Sequence, residues 1–199
     1  MPETGGTFWG YETEFRNNDI QMLPYDPDLA KQYLAASVYK GEEVELASGV
    51  PVFHRGAEMI AEQLGRIGIN VRLFQTDAPT LQSYANPLNN QAQMIHHTNN
   101  FNKSAVSARG SYYSTGASNR SSFNNPLVDE LVDKAPTITD PKEREAVYRQ
   151  IQEILYEDLP YISIYNLINC TITSSAVGGI ILDSDNNHDY RGIFMVLED

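Results

Sequence analysis

Apolar residues recur at helical spacing in some stretches of the chain and alternate with polar ones in others, and the two patterns take turns. Asp26 can cap a helix whose first turn accepts Pro27, because no backbone donor is needed there. Ala30, Tyr33 and Leu34 then fall on one face, and Gly41 lies in the break that follows. Val44-Glu45-Leu46 alternates as a strand does, and Ser48-Gly49 closes it. Over 52–67, Phe53, Ala57, Ile60, Ala61, Leu64 and Ile67 repeat at three- and four-residue steps, which predicts a helix stopped by Gly68. Ile69, Val71 and Leu73 predict a strand, Asp77 caps a short helix reaching about Leu88, and Gln93 to Ile95 is a further strand. Helices alternating with strands predict an α/β fold, a sheet covered by helices.

The pattern lapses between 96 and 125, where Asn, Ser, Thr, Gly and His dominate and Phe101, Tyr112, Tyr113 and Phe123 are scattered. This stretch reads as long and loop-rich, and loops of that length in a compact domain are commonly functional or disordered. Periodicity returns at the cap Asn125 and at Pro126, with Leu127, Val128, Leu131, Val132 and Ala135 as the apolar stripe. Asp140-Pro141-Lys142-Glu143 opens a longer helix in capping-box style, its inner face made of Ala146, Val147, Ile151, Ile154 and Leu155, with Pro160 as its end. Tyr161 to Tyr165 reads as a strand, Gly178-Gly179 and Asp183 to Asp189 as turns, and Ile193 to Leu197 as a last strand. Residues 1–24 show no sustained period, only Phe8, Trp9 and Tyr11 among polar neighbours, and read as a connector.

Composition narrows the function classes. The 199 residues carry a formal net charge of −12, and 41% are hydrophobic, enough to bury a core. An acidic surface repels phosphate backbones and anionic membranes, so nucleic acid is excluded as an expected partner. No stretch reaches the roughly 18 apolar residues that span a bilayer, and the Met1-Pro2-Glu3-Thr4 start has neither the basic nor the apolar region of a signal peptide. Cys170 is the only cysteine, so there is no internal disulfide and no cysteine-based metal site; it reads as a small buried hydrophobe. His54, His96, His97 and His188 lack metal-ligand spacing, and no metal or cofactor is expected. There is no Gly-x-Ser-x-Gly elbow and no phosphate-cradling loop with a lysine.

Five segments, in order, resemble one family. Tyr25-Asp26-Pro27 with Ala30-Lys31 and Leu34 resembles its "YDPxxAKxLL" segment, and Ala57 to Leu64 followed by Ile67-Gly68-Ile69-Asn70-Val71 resembles its "AexiaeqLkkiGInV" unit. Asn124 to Leu131 resembles "NPevDeLld", Tyr148 to Tyr165 resembles "YkeaqkilledaPyiply", and Tyr190-Arg191-Gly192 resembles the closing segment. The family is that of the bacterial extracellular solute-binding proteins of family 5, the peptide and nickel type. The resemblance implies one lobe of a periplasmic-binding-protein-like receptor (type II, cluster C), with terminal strands that belong to the other lobe. Residues 1–24 would be the hinge connector, 25–165 the ligand-binding lobe and 166–199 the return to the first lobe. It implies a binding protein and not an enzyme: a periplasmic or extracellular subunit of an ABC importer that closes on a small polar solute or peptide and docks on a membrane permease. An intracellular sensory or regulatory domain built on the same lobe is the alternative. A missing partner lobe would leave an apolar face able to dimerise the isolated chain.

The family's ligand contacts come from a strand and loop that fall here on Gln93 to Asn102. This sequence has no tryptophan near His97, Asn99 or Asn100 stands where the family has the acid that binds an amine, and the closing Asp-Pro is absent. Amides and imidazoles donate and accept, so His96, His97, Thr98, Asn99 and Asn100 suit a neutral or polyhydroxylated ligand as well as a peptide backbone. Adjacent strand residues point to opposite faces, so at most one of the two histidines faces a cleft. Tyr112 and Tyr113 either stack on a ligand or anchor the loop to the core, Trp9 either lines the hinge side of the cleft or is a core anchor, and Arg109 and Arg120 either meet a carboxylate or are solvated.

Overall fold

A computed structural model describes residues 9, 13–21, 23–97, 105–164, 172–181 and 189–196. Three parallel strands form its sheet: β1 (Val44–Ser48), β2 (Val71–Gln75) and β3 (Met94–His96), in the order β2-β1-β3. Strand β1 is central, and all of it beyond Val44 is buried, because helices cover both faces of a parallel sheet. Side chains in register share a face. Ser48 and His96 lie level and face helix α2 (Pro51–Ile67), where the His96 ring meets Phe53. Glu45, Ala47 and Gly49 face the other way, toward helix α3 (Ala78–Tyr84): Tyr84 Oη donates to Glu45 at 2.6 Å, and a Cβ on Gly49 would strike Leu81.

Local chemistry sets most boundaries. Helix α1 (Pro27–Ala36) starts on Asp26, whose side chain accepts from the Leu29 N–H at 2.8 Å. Helix α2 ends at Gly68, left-handed at φ 104°, with Ile69 N–H returning to the Leu64 carbonyl at 3.0 Å. Ile69 is therefore part of the cap, and β2 begins two residues later than alternation suggests. Helix α3 stops at Tyr84 and does not reach Leu88, since Pro87 disfavours helical backbone at Asn86. Tyr33 is exposed, because α1 lies at the edge of the molecule and buries no residue fully.

The second layer is helical. Residues 96–125 do not form one long loop: a 3-10 turn at Ala105–Ser107 leads into α4 (Ala108–Tyr112), and Ala105, Ala108 and Tyr112 are buried. Helix α5 (Pro126–Lys134) presents Val128, Leu131 and Val132 inward, leaving Leu127 outside. Helix α6 (Pro141–Asp158) buries Val147, Tyr148, Ile151, Gln152 and Leu155; Ala146 is exposed because the packed face is turned one residue onward. With Trp9 and Ala135, the buried apolar residues among these form the main hydrophobic core. Residues 161–164 run irregularly and pair with no strand among the described residues. A two-stranded antiparallel ribbon, β4 (Val177–Gly178) with β5 (Phe194–Met195), is shorter than the strand read over 193–197, and its Phe194, Met195 and Val196 are exposed. Cys170, His188 and Phe101 lie outside the described residues.

Candidate functional site

In an open parallel sheet the loops at the carboxyl ends of the strands diverge where the strand order reverses, and ligands bind in the resulting crevice. The order β2-β1-β3 places that point between β1 and β3. Ser48 and His96 end these two strands side by side. Ser48 is fully buried, and its hydroxyl has no hydrogen-bond partner among the described residues. Helix α2 starts three residues later; its cap Val50 has no polar side chain, Pro51 has no N–H, and the Phe53 N–H donates to the Val50 carbonyl at 2.8 Å.

His96 is turned away from the open edge. Its Nδ1 lies 3.1 Å from the Phe53 carbonyl, which can only accept, so Nδ1 carries the proton. The ring meets Phe53 edge-on at 5.4 Å, and it lies so close to α2 that only a glycine fits at 56. Burial holds the imidazole pKa below its ordinary value, partly offset by the bond to Phe53. His96 therefore pins the end of β3 to α2.

His97 points the other way, as strand alternation requires, and sits edge-on to Tyr161 with ring centres 6.1 Å apart. Tyr161 is half-buried between the layers. Its hydroxyl accepts from the Arg120 N–H at 3.0 Å and donates to the Ser118 carbonyl at 3.2 Å. Tyr112 meets Tyr161 edge-on at 5.6 Å, and Trp9 stacks on Tyr112 at 6.0 Å with the planes 8° apart. Both Trp9 and Tyr112 are buried, and burial pushes the Tyr112 phenol pKa well up. A continuous series of rings thus runs from the core to the edge of the sheet, with His97 at its outer end.

Tyr113 stands apart from that series. Its hydroxyl donates to Asp133 at 3.0 Å, and the Arg109 guanidinium, itself paired with Asp133, lies 4.1 Å from the ring centre. The bond from Arg109 and then that from Tyr113 hold the Asp133 carboxyl below its usual range. Arg109 and Tyr113 are thus engaged with α5. Arg120 reaches the Ala85 carbonyl at 3.4 Å and ties the helical layer to the sheet. Thr98, Asn99 and Asn100 lie outside the described residues.

Periodicity gave no sign of two further residues that shape this region. Tyr161 read as one of a strand's residues, and its place between the layers depends on partners 41 and 43 positions away. Asn119 is buried and organises the polar turn: its Nδ2 donates to the carbonyls of Tyr113 and Phe123, and its Oδ1 accepts from the Phe123 N–H. Among the described residues no three His, Cys, Asp or Glu side chains gather as a metal site would require, and no helix is long and apolar enough to cross a membrane.

The known proteins that this chain resembles are named for the molecules they bind. It is 27% identical over 184 residues to the heme-binding protein A of Haemophilus influenzae, covering 88% of this chain and 33% of that protein. It is 25% identical over 200 residues to the dipeptide-binding protein of Escherichia coli, covering 94% and 36%. The chain thus spans about a third of the length of these relatives. The fold superposes on the Escherichia coli murein tripeptide binding protein MppA with a TM-score of 0.84 at 20% identity, over 99% of this chain and 41% of that one. The oligopeptide-binding protein AppA of Bacillus subtilis, solved with a nonapeptide, gives 0.72 at 23% identity, over 82% and 36%. The sequence model for the middle part of the bacterial extracellular solute-binding proteins, family 5, matches residues 2–123. The α/β layer and its helical companion are thus a lobe of the periplasmic-binding-protein-like fold, and the chain belongs to the bacterial extracellular solute-binding proteins of family 5.

Proposed function

We propose that this chain supplies one ligand-binding lobe of the substrate-binding component of an ABC importer, and that it captures a peptide-like or other polar small solute by non-covalent contact. The observation that carries the reading is the carboxyl edge of the sheet. There the His97 and Tyr161 rings meet edge-on, beside the ends of β1 and β3. Aromatic rings and polar side chains recognise peptide units, which carry carbonyls that accept and N–H groups that donate. Thr98, Asn99 and Asn100 follow His97 directly in the sequence. The relatives named for a dipeptide, a murein tripeptide and oligopeptides support the class of ligand. A second lobe closing over this edge would add contacts from the opposite side, and the ligand would stabilise the closed form by the difference.

One lobe holds part of the contacts, so this chain alone binds weakly. Titration of the isotopically labelled chain with neutral di- to pentapeptides should shift the resonances of His97, Tyr161 and the last residues of β1 and β3, saturably and without chemical change in the peptide. Shifts confined to other surfaces, or turnover of the peptide, would refute the reading.

A further inference from the structure

The segment leading into the fold reads from its sequence as a connector, yet its described part is fastened along its length. Trp9 is buried against Tyr112, and its Nε1 donates to the Glu14 carbonyl at 3.2 Å. Phe15 stacks on Tyr148 of α6 at 5.4 Å, with the planes 13° apart. The fastening centres on Gln152, a fully buried primary amide on the inner face of α6. Its Oε1 accepts from the Asn17 N–H at 2.8 Å, and its Nε2 donates to the carbonyls of Phe15 at 2.9 Å and Tyr148 at 3.0 Å. Asn17 is buried as well; its side chain accepts from the Asp19 N–H at 3.1 Å and reaches Glu153 at 3.4 Å. Arg149, one turn before Glu153, pairs with Asp19.

A glutamine in a hydrophobic core is costly unless its donors and acceptor are all used. Here two of its three bonds go to a segment about 135 residues away in sequence. We infer that residues 13–19 are a strap latched to α6 by Gln152, moving as part of the helical layer and not flexing as a connector. Trp9, which donates to the Glu14 carbonyl of the strap, begins the ring series Trp9–Tyr112–Tyr161–His97 that reaches the carboxyl edge of the sheet. The chain entering this body is therefore held in fixed relation to that edge. The inference rests on packing and does not depend on which ligand binds.

Trp9 is the chain's only tryptophan and is bonded to Glu14 of the strap, so its emission reports on that contact. The test is hydrogen exchange by mass spectrometry, with tryptophan emission, on the 199-residue chain and on Gln152→Met, which keeps the volume and removes every bond of the amide. In the unaltered chain, peptides covering 13–19 should exchange far more slowly than unstructured chain, and the emission should be blue-shifted and shielded from iodide. In Gln152→Met, protection of 13–19 should fall at least roughly tenfold, since both bonds from the amide to the segment are lost, while peptides from β1–β3 keep theirs. Random-coil exchange of 13–19 in the unaltered chain would overturn the inference. So would unchanged protection in a folded Gln152→Met. If that variant does not fold, Gln152→Glu, which keeps the acceptor for Asn17 and loses both donors, gives the same comparison, and the unaltered chain's exchange decides if neither folds.

Discussion

Replacing Gly56 by alanine should destabilise the protein although alanine is the better helix former. In the interior of α2 the exchange is worth about 1 kcal/mol in favour of alanine on propensity alone. At position 56, however, a Cβ would stand 2.5 Å from His96 Cε1 and 3.3 Å from its Nδ1. The ring cannot yield easily, because Nδ1 is bonded to the Phe53 carbonyl and the Phe53 ring packs on its side. Overpacking costs about 1–3 kcal/mol, and loss of the buried bond adds about 1 kcal/mol. The net expectation is a loss of about 1–3 kcal/mol. Gly65 on the same helix is the control, since a Cβ there meets nothing within 4 Å, and Gly65→Ala should gain up to about 1 kcal/mol. Urea denaturation of both variants measures the two changes. A sharper form is the double-mutant cycle: with His96→Ala in place the obstacle is gone, and Gly56→Ala should change sign and become stabilising. A stabilising Gly56→Ala in the unaltered background would refute the close approach of His96 to α2.

Protonation of His96 should weaken the fold. Its pKa is lowered in the folded state from an ordinary 6.5, so at higher pH both states are neutral and its contribution is complete. As pH falls below about 6.5 the unfolded state takes up the proton first, and stability declines until the folded-state pKa is passed. Stability measured from pH 7.5 to 5 should therefore fall more steeply in the unaltered chain than in His96→Gln; equal slopes would exclude the effect. Asp140→Ala removes the side chain that accepts from the N–H groups of Lys142 and Glu143, and should cost about 1 kcal/mol, lowering Tm by about 2–4 °C in a scanning experiment. Asn119→Ala leaves the carbonyls of Tyr113 and Phe123 without its amide and should cost about 3 kcal/mol by urea titration, well above what an exposed turn residue would show.

The elements were largely legible in the sequence because their signals are local. Asp26, Asp77, Asn125 and Asp140 each cap the helix that follows, Gly68 ends α2 in the left-handed region, and the apolar repeats mark the faces of α2 and α5. A capping side chain acts on an N–H group two or three residues away, and a helical stripe is set by spacing alone. The α/β class and the family resemblance followed from the order of such units. The errors fell where local signals competed with packing. Ala105, Ala108 and Tyr112 lie in a polar stretch, and only the core they enter makes helix α4 there.

Tertiary structure alone decided which candidates face the edge of the sheet. His96 and His97 are equivalent in composition, and alternation says only that they diverge. The Phe53 carbonyl claims the first and Tyr161 borders the second. Tyr112 and Tyr113 are also neighbours, yet one is buried under Trp9 and the other is bonded to Asp133 on the surface. The latch between Gln152 and residues 15–17 joins parts of the chain about 135 positions apart. Periodicity fixes the face on which a residue stands, because backbone geometry repeats; the partner opposite that face comes from distant chain, and only the folded packing brings it there.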